Sequence, residues 1–201
     1  MTDKHLPEMI VFDLDDCLWS PEMHELYGLP SILIREKTDN GENCVVGIKV
    51  PNSNDQTVRL FDGARKALYQ LATDITYNDV ILAAASTSLE PTYSHACLKA
   101  LEILPGLSLQ SMFTFSQIGR TGRLTSRKTG HFKLLNEESG VPYEKMLFFD
   151  DCNWDDHVGI LGRSLGVVGQ RTPRGLQYSE FKQGLDQYRK ASGEREKHET
   201  V

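Results

Sequence analysis

Cysteine is scarce in this chain of 201 residues, and the four it has, Cys17, Cys44, Cys97 and Cys152, stand far apart. They form neither the close pairs of a zinc site nor the density of a disulfide framework, so reduced thiols are expected. No apolar stretch approaches membrane-spanning length, and the opening MTDKHLPEMIVFD is too charged, its apolar run too short, for a secretory signal. There is no dense basic stripe and the formal net charge is -6, which argues against a nucleic-acid partner while leaving room for a local positive pocket. What is present is ordinary globular composition, 39% hydrophobic and 25% charged residues. That suffices for one substantial core, and a soluble intracellular protein of one domain, about residues 1–190, is the expectation.

The most informative stretch is MIVFDLDDCLW, residues 9 to 19. Met9 to Phe12 read as a buried strand, and Asp13 and Asp15 follow at its carboxyl end. Side chains two apart on an extended chain point the same way, so two carboxylates converge on one small space. Such a pair is stable only with a cation or a shared proton, which points to a divalent metal or to acid/base work. Helix capping or a strand-ending turn would use the same residues. A calcium loop does not fit: its sixth position would be Leu18 rather than Gly and its twelfth His24 rather than Glu. A strand ending in Asp-x-Asp also suits a metal-binding nucleotide-sugar transferase.

Downstream, SILIREK and NCVVGIKV flank Asp39-Asn40-Gly41 and predict a β-hairpin at about 31–50. Ala64, Ala67, Leu68, Leu71 and Ala72 recur at helical spacing with Asp62 available as a cap. VILAAAS, residues 80–86, is a second buried strand running into Ser86-Thr87-Ser88. A helical stripe from Tyr93 through Leu104 stops at Pro105-Gly106. Met112 to Ile118 could supply a third strand, and HFKLLNEESG a short helix with Lys128 just before it. KMLFFDDCNWDD is a fourth strand ending in Asp150 and Asp151, followed by a helical stripe of Trp154, Val158, Leu161 and Leu165, then a fifth strand, LGVVGQ. This alternation predicts an α/β fold: a Rossmann-like parallel sheet with helices on both faces and its site at the carboxyl ends of the strands. Phe181, Leu185 and Tyr188 can dock a last helix, and the charged, aperiodic 191–201 tail is expected to be disordered.

Asp-x-Asp after strand one, Ser/Thr after strand two, Lys before a helix and Asp-Asp after strand four form an order that matches phosphoryl transfer through an aspartate. FDLDDCLW, AAASTS, Lys128 and FFDD resemble, in turn, the four motifs of the haloacid dehalogenase superfamily over roughly residues 8 to 170. Trp19, FFDD and the GVP step at Gly140–Pro142 look like its magnesium-dependent phosphatase family. The resemblance implies that Asp13 is the nucleophile and Asp15 the acid/base. It implies Mg2+ held by Asp13, the Asp15 carbonyl and Asp151, with Asp150 as the alternative ligand or a supporting one. Ser86 and Thr87 would bind phosphoryl oxygens, and Lys128 would offset charge. Small phosphomonoesters or a phosphoprotein, aryl, tyrosine or sugar phosphates among them, are the implied substrates, handled by a cytoplasmic monomer. Segments between motifs leave no room for a large cap domain, so the hairpin is expected to act as a flap over the metal.

Plainer roles exist for each residue. Ser86 could cap the following helix, and Lys128 alone would be a solvated lysine, as Arg120, Arg123, Arg127 and Lys133 are expected to be. Asp155 and Asp156 read as caps or solvated charge, and Trp19 could shape the mouth or pack under the hairpin. No His at informative spacing supports Cys17 or Cys152 as a nucleophile. Cys17 stands where the family usually has Thr, and Thr87 where its near relatives have Arg. Two other functions share parts of the pattern. A carrier-loading glyceryl transferase has Gly-Gly after its Trp, whereas Ser20-Pro21 follows here; a phosphoacceptor switch has its lysine last in the chain, whereas Lys128 precedes Asp150.

Overall fold

The computed structural model describes residues 6–53 and 55–199. In chain order its elements are β1 (Met9–Phe12), β2 (Trp19–Ser20), β3 (Ile32–Lys37), β4 (Asn43–Lys49), β5 (Thr57–Leu60), α1 (Asp62–Thr73), β6 (Ile81–Ser86) and α2 (Pro91–Ala100). There follow β7 (Glu102–Leu104), β8 (Leu107–Ser108), α3 (Leu109–Met112), β9 (Phe115–Ile118), α4 (Lys128–Ser139), β10 (Met146–Asp150), α5 (His157–Leu165), β11 (Val168–Arg171) and α6 (Tyr178–Glu199). Short 3-10 turns at Met23–Glu25, Ile75–Tyr77 and Tyr143–Lys145 join some of them.

The expected parallel sheet forms, in the order β11-β10-β1-β6-β9. β1 lies at its centre, with Val11 level with Phe148 on β10 and Ala83 on β6. Its four residues are all buried because alternate side chains feed two cores. Met9 and Val11 join Phe132, Leu135 and Leu161 of α4 and α5 on one face. Ile10 and Phe12 join Ala64, Leu68, Leu98, Phe181 and Leu185 of α1, α2 and α6 on the other. Burying each of these larger side chains contributes roughly 2 kcal/mol. The doubly covered sheet therefore tolerates the polar clusters that break the pattern at its carboxyl edge.

The hairpin of β3 and β4 is present, and none of its described residues lines the acidic cleft at the carboxyl edge of the parallel sheet. It belongs to a four-stranded antiparallel sheet, β2-β5-β4-β3. Its turn residues Thr38, Asp39, Asn40 and Glu42 face Asp62, Arg65 and Tyr69 of α1 across a groove of their own. Other differences from the sequence reading are local. The helical stripe from Tyr93 ends at Ala100, because Glu102–Leu104 pair with Leu107–Ser108 around Pro105-Gly106. Leu109–Met112 form a short helix capped by Ser108, so the third strand starts at Phe115. Phe61, not Asp62, is the N-cap of α1. Trp154 lies outside α5 and is exposed.

The tail also departs from expectation: α6 continues through Glu199, while residues 200–201 lie outside the described part. The buried positions Phe181, Leu185, Tyr188 and Ser192 are spaced by four, three and four residues, so one stripe docks most of the helix. Good helix formers (Lys, Ala, Glu, Arg) carry it onward. Among the described residues no helix is long and apolar enough to cross a membrane.

Candidate active site

The alternation that builds the two cores also sorts the site. Asp13 follows Phe12, its N–H donating to the Phe149 carbonyl, and has the parity of Met9 and Val11. Asp150 has the parity of Phe148. Both carboxylates therefore emerge on the face covered by α4, whose first residue is Lys128. Lys128 is in the helix rather than before it, and its ammonium is buried between Asp13 Oδ1 at 2.7 Å and Asp150 Oδ2 at 2.5 Å. Asp151 has the opposite parity. It lines the open cleft instead, with one oxygen accepting from the Asn153 N–H at 3.0 Å.

Asp150 is fully engaged. Its Oδ1 accepts from the Cys152 N–H at 2.8 Å, and His157 Nδ1 stands 3.4 Å from Oδ2. Burial would raise its pKa, but Lys128 and His157 outweigh burial and hold it well below the usual carboxylate range. Burial likewise opposes the charge on Lys128, and Asp13 and Asp150 overcome it, so the ammonium persists. For Asp13 burial dominates over Lys128 and, with Asp150 and Asp151 nearby, pushes the carboxyl well above its usual value. One ammonium thus sits between two of the three clustered carboxylates.

Asp13, Asp15, Glu22, His24, Ser86, Thr87, Ser88, Leu89, Arg120, Asp151 and Trp154 line a cleft of about 220 Å³. Asp15 accepts a hydrogen bond from Trp19 Nε1 at 2.8 Å. Trp19 therefore neither shapes the mouth nor merely packs: it is fully buried and orients a carboxylate of the site. Burial pushes Asp15 up to about 6, the Trp19 bond only partly opposing it. Ser86 is not a helix cap, since α2 begins at Pro91 after Glu90; its hydroxyl accepts from the Ser88 N–H at 3.3 Å. His131 fixes this edge from behind, its Nε2 lying 3.1 Å from both the Ser86 and Gly119 carbonyls. Carbonyls only accept, so Nε2 carries the proton, and burial lowers the ring's pKa.

Asp156 does cap α5, through the Gly159 N–H at 2.9 Å. Cys17 is buried and its thiol is pushed far up by burial, and burial raises Cys152 to about 12, so neither is a nucleophile. Several lining residues escaped the sequence reading. Glu22 holds His24 Nδ1 at 3.1 Å through one oxygen and accepts from Trp154 Nε1 at 3.1 Å through the other, and no periodicity marks that segment. Arg120, expected to be a solvated arginine, lines the cleft; its place two residues beyond the end of β9 is the signal that could have found it.

The donor set suits a hard divalent cation. Carboxylate oxygens of Asp13, Asp150 and Asp151 lie within 4.8 Å of one another. Their excess negative charge over Lys128 is what such an ion would neutralise.

The family model described as Acid Phosphatase matches residues 5–191. The chain is 27% identical over 187 residues to Magnesium-dependent phosphatase 1 of Homo sapiens, covering 92% of this chain and 89% of that one. A Bacteroides fragilis structure, the N-terminal part of a protein, containing a phosphatase domain complexed with Mg, matches with a TM-score of 0.54 at 14% identity. That match covers 92% of this chain but only 40% of the Bacteroides chain. CbbY from Rhodobacter sphaeroides, solved with phosphate, matches with a TM-score of 0.52 at 15% identity, over 82% of this chain and 85% of that one.

Proposed function

Because the chain belongs to the acid phosphatase family, within the haloacid dehalogenase superfamily, we propose that it is a magnesium-dependent phosphomonoester hydrolase working through an aspartyl-phosphate on Asp13. The observation that carries this reading is that Asp13, Asp15, Ser86, Thr87 and Asp151, from the ends of three adjacent strands, line one cleft with Lys128 buried behind Asp13.

The carboxylates of Asp13 and Asp151 and the carbonyl of Asp15 would hold Mg2+, which supplies charge neutralisation between an anionic nucleophile and an anionic phosphate. Asp150 supports the site by fixing Lys128. Asp13 attacks phosphorus as the ester oxygen leaves, and water then cleaves the acyl phosphate, replacing one difficult hydrolysis by two easier steps. Asp15 protonates the leaving oxygen and afterwards takes a proton from the attacking water. Its elevated pKa of about 6 supports such two-way use near neutral pH. The Ser86 hydroxyl and the Thr87 N–H bind phosphoryl oxygens, and losing one such donor costs about 10²–10³ in rate.

Aryl, tyrosine or sugar phosphates, free or protein-borne, are the substrates proposed from the family resemblance, and an open cleft with no hairpin residue in its lining is compatible with them. A phosphoacceptor switch or a carrier-loading transferase is less well supported, because the residue that drives hydrolysis, Asp15, faces the cleft beside the nucleophile. The test is steady-state phosphate release from phenyl phosphate, with Mg2+ and with chelator, by the wild type and Asp13→Asn. Magnesium-dependent release that the variant lacks is expected. A folded, Mg2+-binding protein without turnover would overturn the reading.

A further inference from the structure

Charge is distributed unevenly across this cleft, and the distribution follows the strand order. Of the lining carboxylates, Asp13, Asp15 and Asp151 stand at the ends of β1 and β10 and Glu22 follows β2; the hydroxyls of Ser86, Thr87 and Ser88 follow β6; Arg120 follows the edge strand β9. Asp13 and Ser86 are buried on the floor at 7% and 1% exposure, while Arg120 is exposed at the mouth.

Arg120 is also held in place. Gly119, which precedes it, has φ +105, and an added Cβ there would lie 3.3 Å from Pro91 Cβ, so the backbone leaves β9 by a path that only glycine takes without strain. The Gly119 N–H donates to the Ser86 carbonyl at 2.9 Å, and Arg120 Nε donates to the Thr87 carbonyl at 2.8 Å. This use of Nε leaves the edge formed by the two terminal amino groups, the fork that takes a carboxylate or phosphate through two parallel bonds. Among the described residues no carboxylate occupies that edge. The other basic side chains of the site are committed: Lys128 to Asp13 and Asp150, His24 to Glu22.

We propose that Arg120 is a specificity-determining residue that binds a second anionic group, a carboxylate or a second phosphate, on the leaving-group side of the substrate. This rests on the phosphatase reading for its orientation. With the transferring phosphoryl group on the floor against Asp13, the rest of the ester extends toward the mouth. An anion there is repelled by the carboxylates under β1 and β10 and accepted only beyond β6. The preferred substrates are therefore phosphomonoesters bearing another negative group, over neutral esters of similar size.

The test compares kcat/KM, with Mg2+, for phenyl phosphate, 4-carboxyphenyl phosphate and 1,4-phenylene bisphosphate in the wild type, Arg120→Gln and Arg120→Lys. A charge-assisted pair at an open mouth predicts a wild-type preference of about tenfold for at least one of the two charged substrates. Which one is preferred identifies the anion. The ratio should collapse to near one in Arg120→Gln and survive in part in Arg120→Lys. A wild-type ratio near one, a ratio unchanged in Arg120→Gln, or an equal loss for charged and neutral substrates would overturn the assignment. Calorimetric binding of the same three compounds to Asp13→Asn, with and without Arg120→Gln, reads the same ratio without turnover. Failure of the phosphatase reading, seen as no phosphate release from any substrate, is thereby separated from failure at Arg120.

Discussion

At the scale of single residues, the adjacent aspartates after β10 show how backbone alternation assigns chemistry. Asp150 and Asp151 are indistinguishable in the sequence FFDD, yet one points back toward Lys128 and His157 and the other lines the cleft. Replacing each by Asn should therefore have different consequences. Asp151→Asn is expected to weaken Mg2+ binding by at least about tenfold while leaving the urea midpoint of the metal-free protein in place. Asp150→Asn should destabilise the metal-free protein by about 1–3 kcal/mol, because a buried ammonium loses one of two charged partners. Isothermal titration with Mg2+ and urea unfolding separate the two, and a reversed pattern would exchange the roles. Asp13, Asp15, Ser86, Thr87 and Lys128 were legible beforehand because each stands at the end of a strand or the start of a helix. Glu22, His24 and Trp154 were not, since Trp154 reaches Glu22 only across 132 residues of chain. Trp19 was visible as a residue but not as the donor that orients Asp15.

At the scale of elements, the apolar runs of β1, β6 and β10 were readable because strands buried on both faces have no other composition available. The stripe from Tyr93 misled at its end: Leu101 and Leu104 continue a helical spacing, but the chain gains pairing partners in β8 by leaving the helix at Ala100. The hairpin was legible from its turn, whereas its place beside α1 depends on long-range contacts. Two glycines test the helices that carry this layer. At Gly63 in α1 an added Cβ would meet the Leu176 carbonyl oxygen at 2.3 Å and the Tyr178 nitrogen at 2.6 Å, all rigid backbone. Gly63→Ala should lower stability by about 1–3 kcal/mol. At Gly193 in α6 nothing lies within 4 Å, so Gly193→Ala should raise stability by about 0.5–1 kcal/mol if the helix extends as described. Urea midpoints read both. No change at Gly193 would return the tail to the disorder its composition first suggested.

At the scale of the whole molecule, the fold acts as a means of bringing distant strand ends to one edge. β1, β6, β9 and β10 lie far apart in sequence and adjacent in the sheet, so carboxylates, hydroxyls and a guanidinium meet in spatial order around a single cleft. The central claim is that Asp13 carries the phosphoryl group. It is tested most directly by quenching the magnesium-loaded protein with borohydride during turnover of phenyl phosphate, then mapping its peptides by mass spectrometry. Reduction of an aspartyl-phosphate leaves homoserine, and the account predicts it at position 13 and at no other acidic residue. Turnover with position 13 unmodified, or with the label on Asp15, Asp150 or Asp151, would contradict it.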